Sequence, residues 1–262
     1  MTGWNRRHTG TWVAALALAL ANVVIWATGN LVMQALAGVV VLALLPGALL
    51  AGLLFRQDES LDILERMALG VGLGYVCLVL GTLLLHYLPG PLTRILLLAP
   101  YDALVAVLIL LRARQSARPT VGPGVPRRVA AALALVVIIG ALFRLPNLGY
   151  SEFQGDEGRA MLRAAEVLQG QDQVLFLHKK GPAEILLPAA TYALAGHIDE
   201  WTARFPFALA NLAALVALFV LGRRAFGVRV GLLAAGLMVI DGDWGAVARI
   251  VQYQSIVLLT TF

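Results

Sequence analysis

An adjacent acidic pair, Asp156-Glu157, stands inside the stretch RLPNLGYSEFQGDEGRAMLRAAEVLQG, Arg144 to Gly170. This stretch leaves the end of an apolar run, crosses a Pro/Asn/Gly turn, and brings both carboxylates to the start of an amphipathic helix. At about 100° per residue, Asp156, Arg159, Arg163 and Glu166 share one face, and Met161, Leu162, Ala165 and Leu168 the opposite one. Two carboxylates just outside a membrane span, among basic residues, are an arrangement that chemistry at a membrane surface can use. Carboxylates also suit a helix N-terminus electrostatically, so the pattern alone leaves a solvated helix face open beside a site. In either case the helix is expected to lie on the membrane with its polar face toward water or a substrate.

Further chemistry-bearing residues follow. His178-Lys179-Lys180-Gly181-Pro182 puts two cations beside a turn, suited to holding a phosphate as point charges or to ordinary snorkelling at an interface. Glu200 and Arg204 have the spacing of an i,i+4 ion pair. Asp241-Gly242-Asp243-Trp244-Gly245 precedes Arg249, Gln252, Tyr253 and Gln254 at the start of an apolar run. Polar groups crowded there are costly unless they face protein or a cavity, which favours a site over a solvated loop.

The elements that must position these residues are membrane spans. Apolar residues make up 60% of 262 positions and charged ones 13%, against about 45–50% and 25% in soluble domains. The expected class is therefore an all-α polytopic membrane protein. The single Cys77 excludes a disulfide framework and a zinc pattern. The net charge of +5 comes almost wholly from arginine. These arginines sit at helix ends, where they set topology, so nucleic acid is not an expected partner.

Apolar runs at 11–28, 31–55, 67–88 and 92–111 form an N-terminal four-helix unit, 1–111, whose first run reads as an uncleaved signal anchor. The segment 112–128, rich in Pro, Gly and Arg, is a linker. A second unit, 129–262, begins with a span at about 129–145 and continues with runs near 203–221, 228–240 and 246–262. With Arg6 and Arg7 in the cytoplasm, Arg56, Arg66 and the linker arginines fall there too, and the loop 146–202 falls outside. Residues 181–196 are apolar but short and interrupted by Pro188. If they crossed, Arg223, Arg224 and Arg229 would face outside, so they read as a juxtamembrane or re-entrant helix. About eight spans result, with one long external loop carrying eight of the fifteen acids and both lysines. Asp102, just after Pro100, is either an intramembrane functional carboxylate or an interfacial one, if Pro100 starts a shorter helix.

Four blocks in order, RLPNLGYSEFQGDEGRAM, HKKGPAEILLPAATYALAG, EWTARFPFALANLAALVALFVLGRRAFG and DGDWGAVARIVQYQS, resemble membrane glycosyltransferases of GT-C architecture. The likeness falls within the superfamily of protein O-mannosyltransferases and aminoarabinose transferases (glycosyltransferase family 39 and relatives), and it covers about 129–262. It implies transfer of a sugar from a polyprenyl-phosphate carrier to an acceptor glycan, lipid or protein at the extracytoplasmic face of the plasma (inner) membrane. On this resemblance Asp156 is the acidic catalytic residue and Glu157 its neighbour. A base there deprotonates an acceptor hydroxyl, and cations hold the leaving phosphate. The candidates for the phosphate are Lys179, Lys180, Arg204 and Arg249, with Lys179 aligned to the family's His-Lys-Pro-Pro block. Arg159, His178, Glu184 and Asp243 are candidate substrate contacts. The chain reads His-Lys-Lys-Gly-Pro at that block, and the shifted proline leaves open which lysine points inward.

Some GT-C enzymes use a divalent metal and others do not; no dedicated ligand cluster is visible and no cofactor is expected. The resemblance excludes 1–128. Relatives continue beyond the point matching Phe262, so the chain reads as the N-terminal part of a longer enzyme or as a gene product that ends early. Two other readings are a transporter or lipid flippase, whose ionisable groups sit near the bilayer midplane in repeated halves, and a non-catalytic scaffold of the same fold.

Overall fold

The computed structural model describes residues 9–115, 122, 124–153, 155–171 and 173–262. Arg6 and Arg7, and most of the linker's centre, lie outside the described residues. The described chain is helical, with no strand among its elements. Helix α1 spans Thr9–Ala27 and α2 Leu31–Val39, which runs through a π-helical turn, Val40–Leu44, into α3, Leu45–Leu54. Then come α4, Ile63–His86, α5, Arg94–Arg114, and α6, Arg127–Arg144. Three short elements follow: α7, Gly155–Leu168, α8, Val174–Leu177, and α9, Ala183–Ala195. The chain closes with α10, Glu200–Phe226, α11, Val228–Ile240, α12, Gly242–Val247, and α13, Gln254–Thr261.

Among the described residues, five helices are long and apolar enough to cross a membrane: Thr9–Ala27, Leu31–Leu54, Ile63–His86, Arg94–Arg114 and Glu200–Phe226. This is a polytopic all-α membrane protein. The expected spans at 11–28, 31–55, 67–88, 92–111 and 203–221 correspond to these five. Helix α6 is 18 residues long with arginines at both ends, and α11 has 13 residues. The expected run 246–262 is not one helix. It divides into α12 and α13, because Arg249, Gln252 and Tyr253 fall in the irregular stretch between them.

Caps fix the starts. Asp62 accepts from the Glu65 amide at 2.9 Å while Glu65 accepts from the Asp62 amide at 2.9 Å, a reciprocal capping box for α4. Thr93 caps α5, Asp199 caps α10 and Asp241 caps α12 through their side-chain oxygens. Helices α3 and α4 meet at glycines: a Cβ on Gly47 would collide with the Gly70 carbonyl and the Gly74 backbone.

Pro206 interrupts α10 and leaves the Thr202 carbonyl without its helical donor. The Thr191 hydroxyl donates to that carbonyl at 2.9 Å, and the Tyr75 hydroxyl donates to the Pro206 carbonyl at 2.7 Å. The helix around Pro206 is thus held by α9 on one side and α4 on the other. Pro100 lies inside α5, which begins at Arg94; it does not start a shorter helix. Asp102 therefore sits within the span, where it accepts from Asn22 Nδ2 of α1 at 2.9 Å.

The bundle has two polar ends. Arg94 lies over the Trp26 ring at 5.4 Å, and the Leu92 amide donates to the Leu168 carbonyl at 3.0 Å. The end of α1, the α4–α5 turn and α7 therefore share one end. Arg223 and Arg224 meet Asp62 and Glu65 at the other, about 36 Å away along the 24-residue α4. The end of α9 lies at the first end, where Gly196 approaches Arg94, and Glu184 near its start bonds His178. Nearly every residue of α9 is buried against its neighbours.

Candidate functional site

Helix α7 enters from Gly155, whose φ of +55° is a conformation that glycine adopts without strain. Asp156 and Glu157 then diverge, as adjacent helical residues must. Asp156 is 59% exposed, whereas Glu157 turns inward at 9%. The buried face of α7 is Ala160, Met161, Ala164 and Val167, and it packs against α9. Leu162, expected on the apolar face, is 68% exposed. Packing on α9 rotates the buried stripe toward Ala160 and Ala164.

Glu157 is the hub of an inner network. Its Oε1 accepts from Arg204 Nε at 2.8 Å and from the Val251 amide at 2.9 Å, and its Oε2 accepts from Arg204 Nη2 at 2.8 Å. Arg204 Nη1 donates to the Leu148 and Ser151 carbonyls at 2.7 and 3.0 Å. Tyr150 and Phe153 rings lie 5.0 and 5.5 Å from its guanidinium. The expected Glu200–Arg204 pair is replaced by Arg204–Glu157, because α10 presents Arg204 to the interior, where it is 1% exposed. The guanidinium of Arg204, a candidate for the donor phosphate, is bonded to Glu157 and to the Leu148 and Ser151 carbonyls. Arg249 donates to the Phe143 and Asn147 carbonyls at 3.0 and 3.2 Å and lies 5.4 Å from the Tyr150 ring. Tyr150 thus stands against both arginines, a role its place in the sequence does not signal.

Asp156 opens onto an outer cluster. Lys180 Nζ lies 3.0 Å from its Oδ2 and Arg159 Nη1 3.6 Å from its Oδ1. The Lys180 hydrogen bond, then its charge, hold the Asp156 carboxyl below its usual range, and the same bond raises Lys180. Of the two lysines, Lys180 faces the acid, while Lys179 is exposed. Gly181, at φ +91°, turns the chain beyond them. His178 Nε2 lies 2.6 Å from Glu184 Oε2, and Glu184 is 2% exposed. The Tyr253 phenol is near enough to Lys180 to act on it electrostatically, bringing the α12–α13 connection to the same cluster.

Asp243 is exposed in the first turn of α12, and its side chain forms no hydrogen bond or ion pair with the described residues. Arg144 escaped the sequence reading as a site-forming residue. It is fully buried, donating to Asn211 Oδ1 at 2.7 Å and to the Met238 carbonyl at 2.9 Å. The only sequence signal was Asn211 within an apolar run. Among the described residues, no group of three or more His, Cys, Asp or Glu is placed to hold a metal ion.

The arrangement offers an open carboxylate kept ionised, a cation beside it, and a buried ion pair fastening the segments that carry them. Residues 179–262, less than half of the chain, match the family model for dolichyl-phosphate-mannose-protein mannosyltransferase. That stretch is similar to a glycosyltransferase of the mannosyltransferase type. No curated protein and no solved structure matches the chain.

Proposed function

We propose that this protein contributes the catalytic carboxylate, acting as base, and the phosphate-facing lysine of a membrane glycosyltransferase that takes its sugar from a polyprenyl-phosphate carrier. The observation carrying this reading is the Asp156–Lys180 contact at 3.0 Å, a base and a cation at one membrane end. In the reaction, the acceptor hydroxyl oxygen attacks the anomeric carbon, its proton passes to Asp156, and the bond from that carbon to the phosphate oxygen breaks. The polyprenyl phosphate leaves with the electron pair, and Lys180, with Lys179 and Arg249 near the turn and loop, offsets the charge it carries away.

Lys180 binds Asp156 before substrate arrives. A donor phosphate competes for this lysine, and as the bond to Asp156 loosens the carboxylate regains basicity. Donor binding thus prepares the base. Glu157 and Arg204 hold the frame, and His178 and Glu184 close the lysine turn. The positive-inside preference supports an extracytoplasmic position for the loop carrying the acids, because Arg223 and Arg224 meet Asp62 and Glu65 at the opposite end.

A flippase reading gains little from Asp102, the carboxylate within a span, because Asn22 already satisfies it. The test is sugar transfer from a polyprenyl-phosphate-linked donor by the protein in proteoliposomes, with Asp156→Asn alongside. Loss of the glycosidic product in the variant supports the reading. Vectorial uptake without product in the wild type refutes it.

A further inference from the structure

At the end of the bundle opposite the acidic site, three arginines converge: Arg66 of α4, Arg112 of α5, and Arg56 just past the end of α3. Arg112, in the last turn of α5, folds back so that its Nη1 lies against Gly52 of α3, where any Cβ would collide with it. Arg56, one turn past Gly52, donates to the Gln115 side chain and, at 3.5 Å, to the Gln115 carbonyl. Arg66, in the first turn of α4, donates to the Asp58 carbonyl at 2.7 Å and the Leu61 carbonyl at 3.4 Å. The charges of Arg56 and Arg66 both bear on Arg112.

Of the neighbouring acids, Glu59 is exposed, and Asp58, Asp62 and Glu65 are engaged elsewhere. Asp62 and Glu65 pair with Arg223 and Arg224. The Asp58 carboxylate accepts from the Ser60 amide and hydroxyl at 2.9 and 2.6 Å, within the field of Arg66 and Arg224. Among the described residues, Arg112 forms no ion pair, and the segment 112–128 contains no acid. An arginine at a membrane end ordinarily extends its head into water. Arg112 instead keeps a half-buried charge at the level of the α3 backbone, beside two like charges. That arrangement is costly unless an anion joins it, and a guanidinium's planar fork matches a phosphate.

We infer that Arg112, with Arg56 and Arg66, binds the phosphate of an anionic phospholipid headgroup between α3, α4 and α5. The lipid source is favoured by what adjoins the cluster. Leu54, Leu110 and Leu111 are exposed apolar side chains within a turn of these arginines, a surface for the acyl chains of a lipid whose headgroup the cluster holds. This site is independent of the transferase reading and lies at the other end of the molecule.

The test is thermal unfolding of the protein in neutral detergent. Phosphatidylglycerol, phosphatidylcholine or inorganic phosphate is added, and binding is titrated for wild type, Arg112→Gln, Gly52→Ala, and an Arg127→Gln/Arg128→Gln control. Arg127 and Arg128 are exposed at the start of α6. Phosphatidylglycerol is expected to raise the unfolding temperature of the wild type and of the control. Arg112→Gln should bind it about tenfold more weakly, as loss of a charge-assisted bond implies. Gly52→Ala, which keeps every charge and displaces only the guanidinium, should weaken it too and reports the site should Arg112→Gln fail to fold. Equal loss in the control would show general surface attraction and overturn the site. An equal rise with inorganic phosphate, or none with phosphatidylglycerol, would overturn the lipid assignment.

Discussion

Glu157 and Arg204, 47 residues apart, meet in a two-point fork with both contacts at 2.8 Å. The pair joins α7 to α10 and, through the Val251 amide and the Leu148 and Ser151 carbonyls, fastens both irregular segments around the site. A guanidinium so enclosed acts through position, and its bonds serve the frame in which Asp156 works.

Breaking this fork should unfold the site before it alters chemistry. Arg204→Ala leaves an unpaired buried carboxylate, and the expected cost is about 3–5 kcal/mol. Glu157→Gln keeps one acceptor and should cost about 1–3 kcal/mol. Denaturant unfolding in detergent measures both. An Arg204→Ala variant as stable as wild type would contradict the structural role of the pair.

Lys180→Gln should move the pH dependence in a defined direction. Lys180 lowers the folded Asp156 pKa, so the contribution of the pair is present above the ordinary aspartate pKa of about 3.9 and is lost as pH falls through the depressed folded value. Removing the lysine returns Asp156 toward the ordinary value. The acidic limb of the rate–pH profile of the free enzyme should therefore shift upward, with a weaker KM for the donor. An unshifted limb would separate Asp156 from Lys180.

Helices could be read from composition because hydrophobic length is a property of single segments. The start of α7 was legible for the same reason, since an acidic pair beyond a turn is a local signal. Choice of partner is not local. Arg204 had Glu200 one turn away and took Glu157 instead, because α10 faces its arginine inward. Leu162 is exposed because α7 docks on α9, and periodicity cannot say which neighbour a helix will meet. The break within 246–262 follows from Arg249 being drawn to the Phe143 and Asn147 carbonyls, contacts invisible in the run itself.

His178 and Glu184 close the lysine turn across six residues at 2.6 Å. Glu184→Gln weakens this closure, and trypsin should cut after Lys179 or Lys180 several-fold faster than in wild type. Equal cleavage rates would mean that the turn is held by other contacts.

The most direct measurement is the rate of sugar transfer by Asp156→Asn, with unfolding temperature and membrane insertion measured on the same preparation. Asp156 is exposed and bears no part of the buried frame, so both structural readouts should match wild type while transfer falls by about two orders of magnitude or more. Transfer at the wild-type rate from a correctly inserted Asp156→Asn protein would contradict the account at its centre.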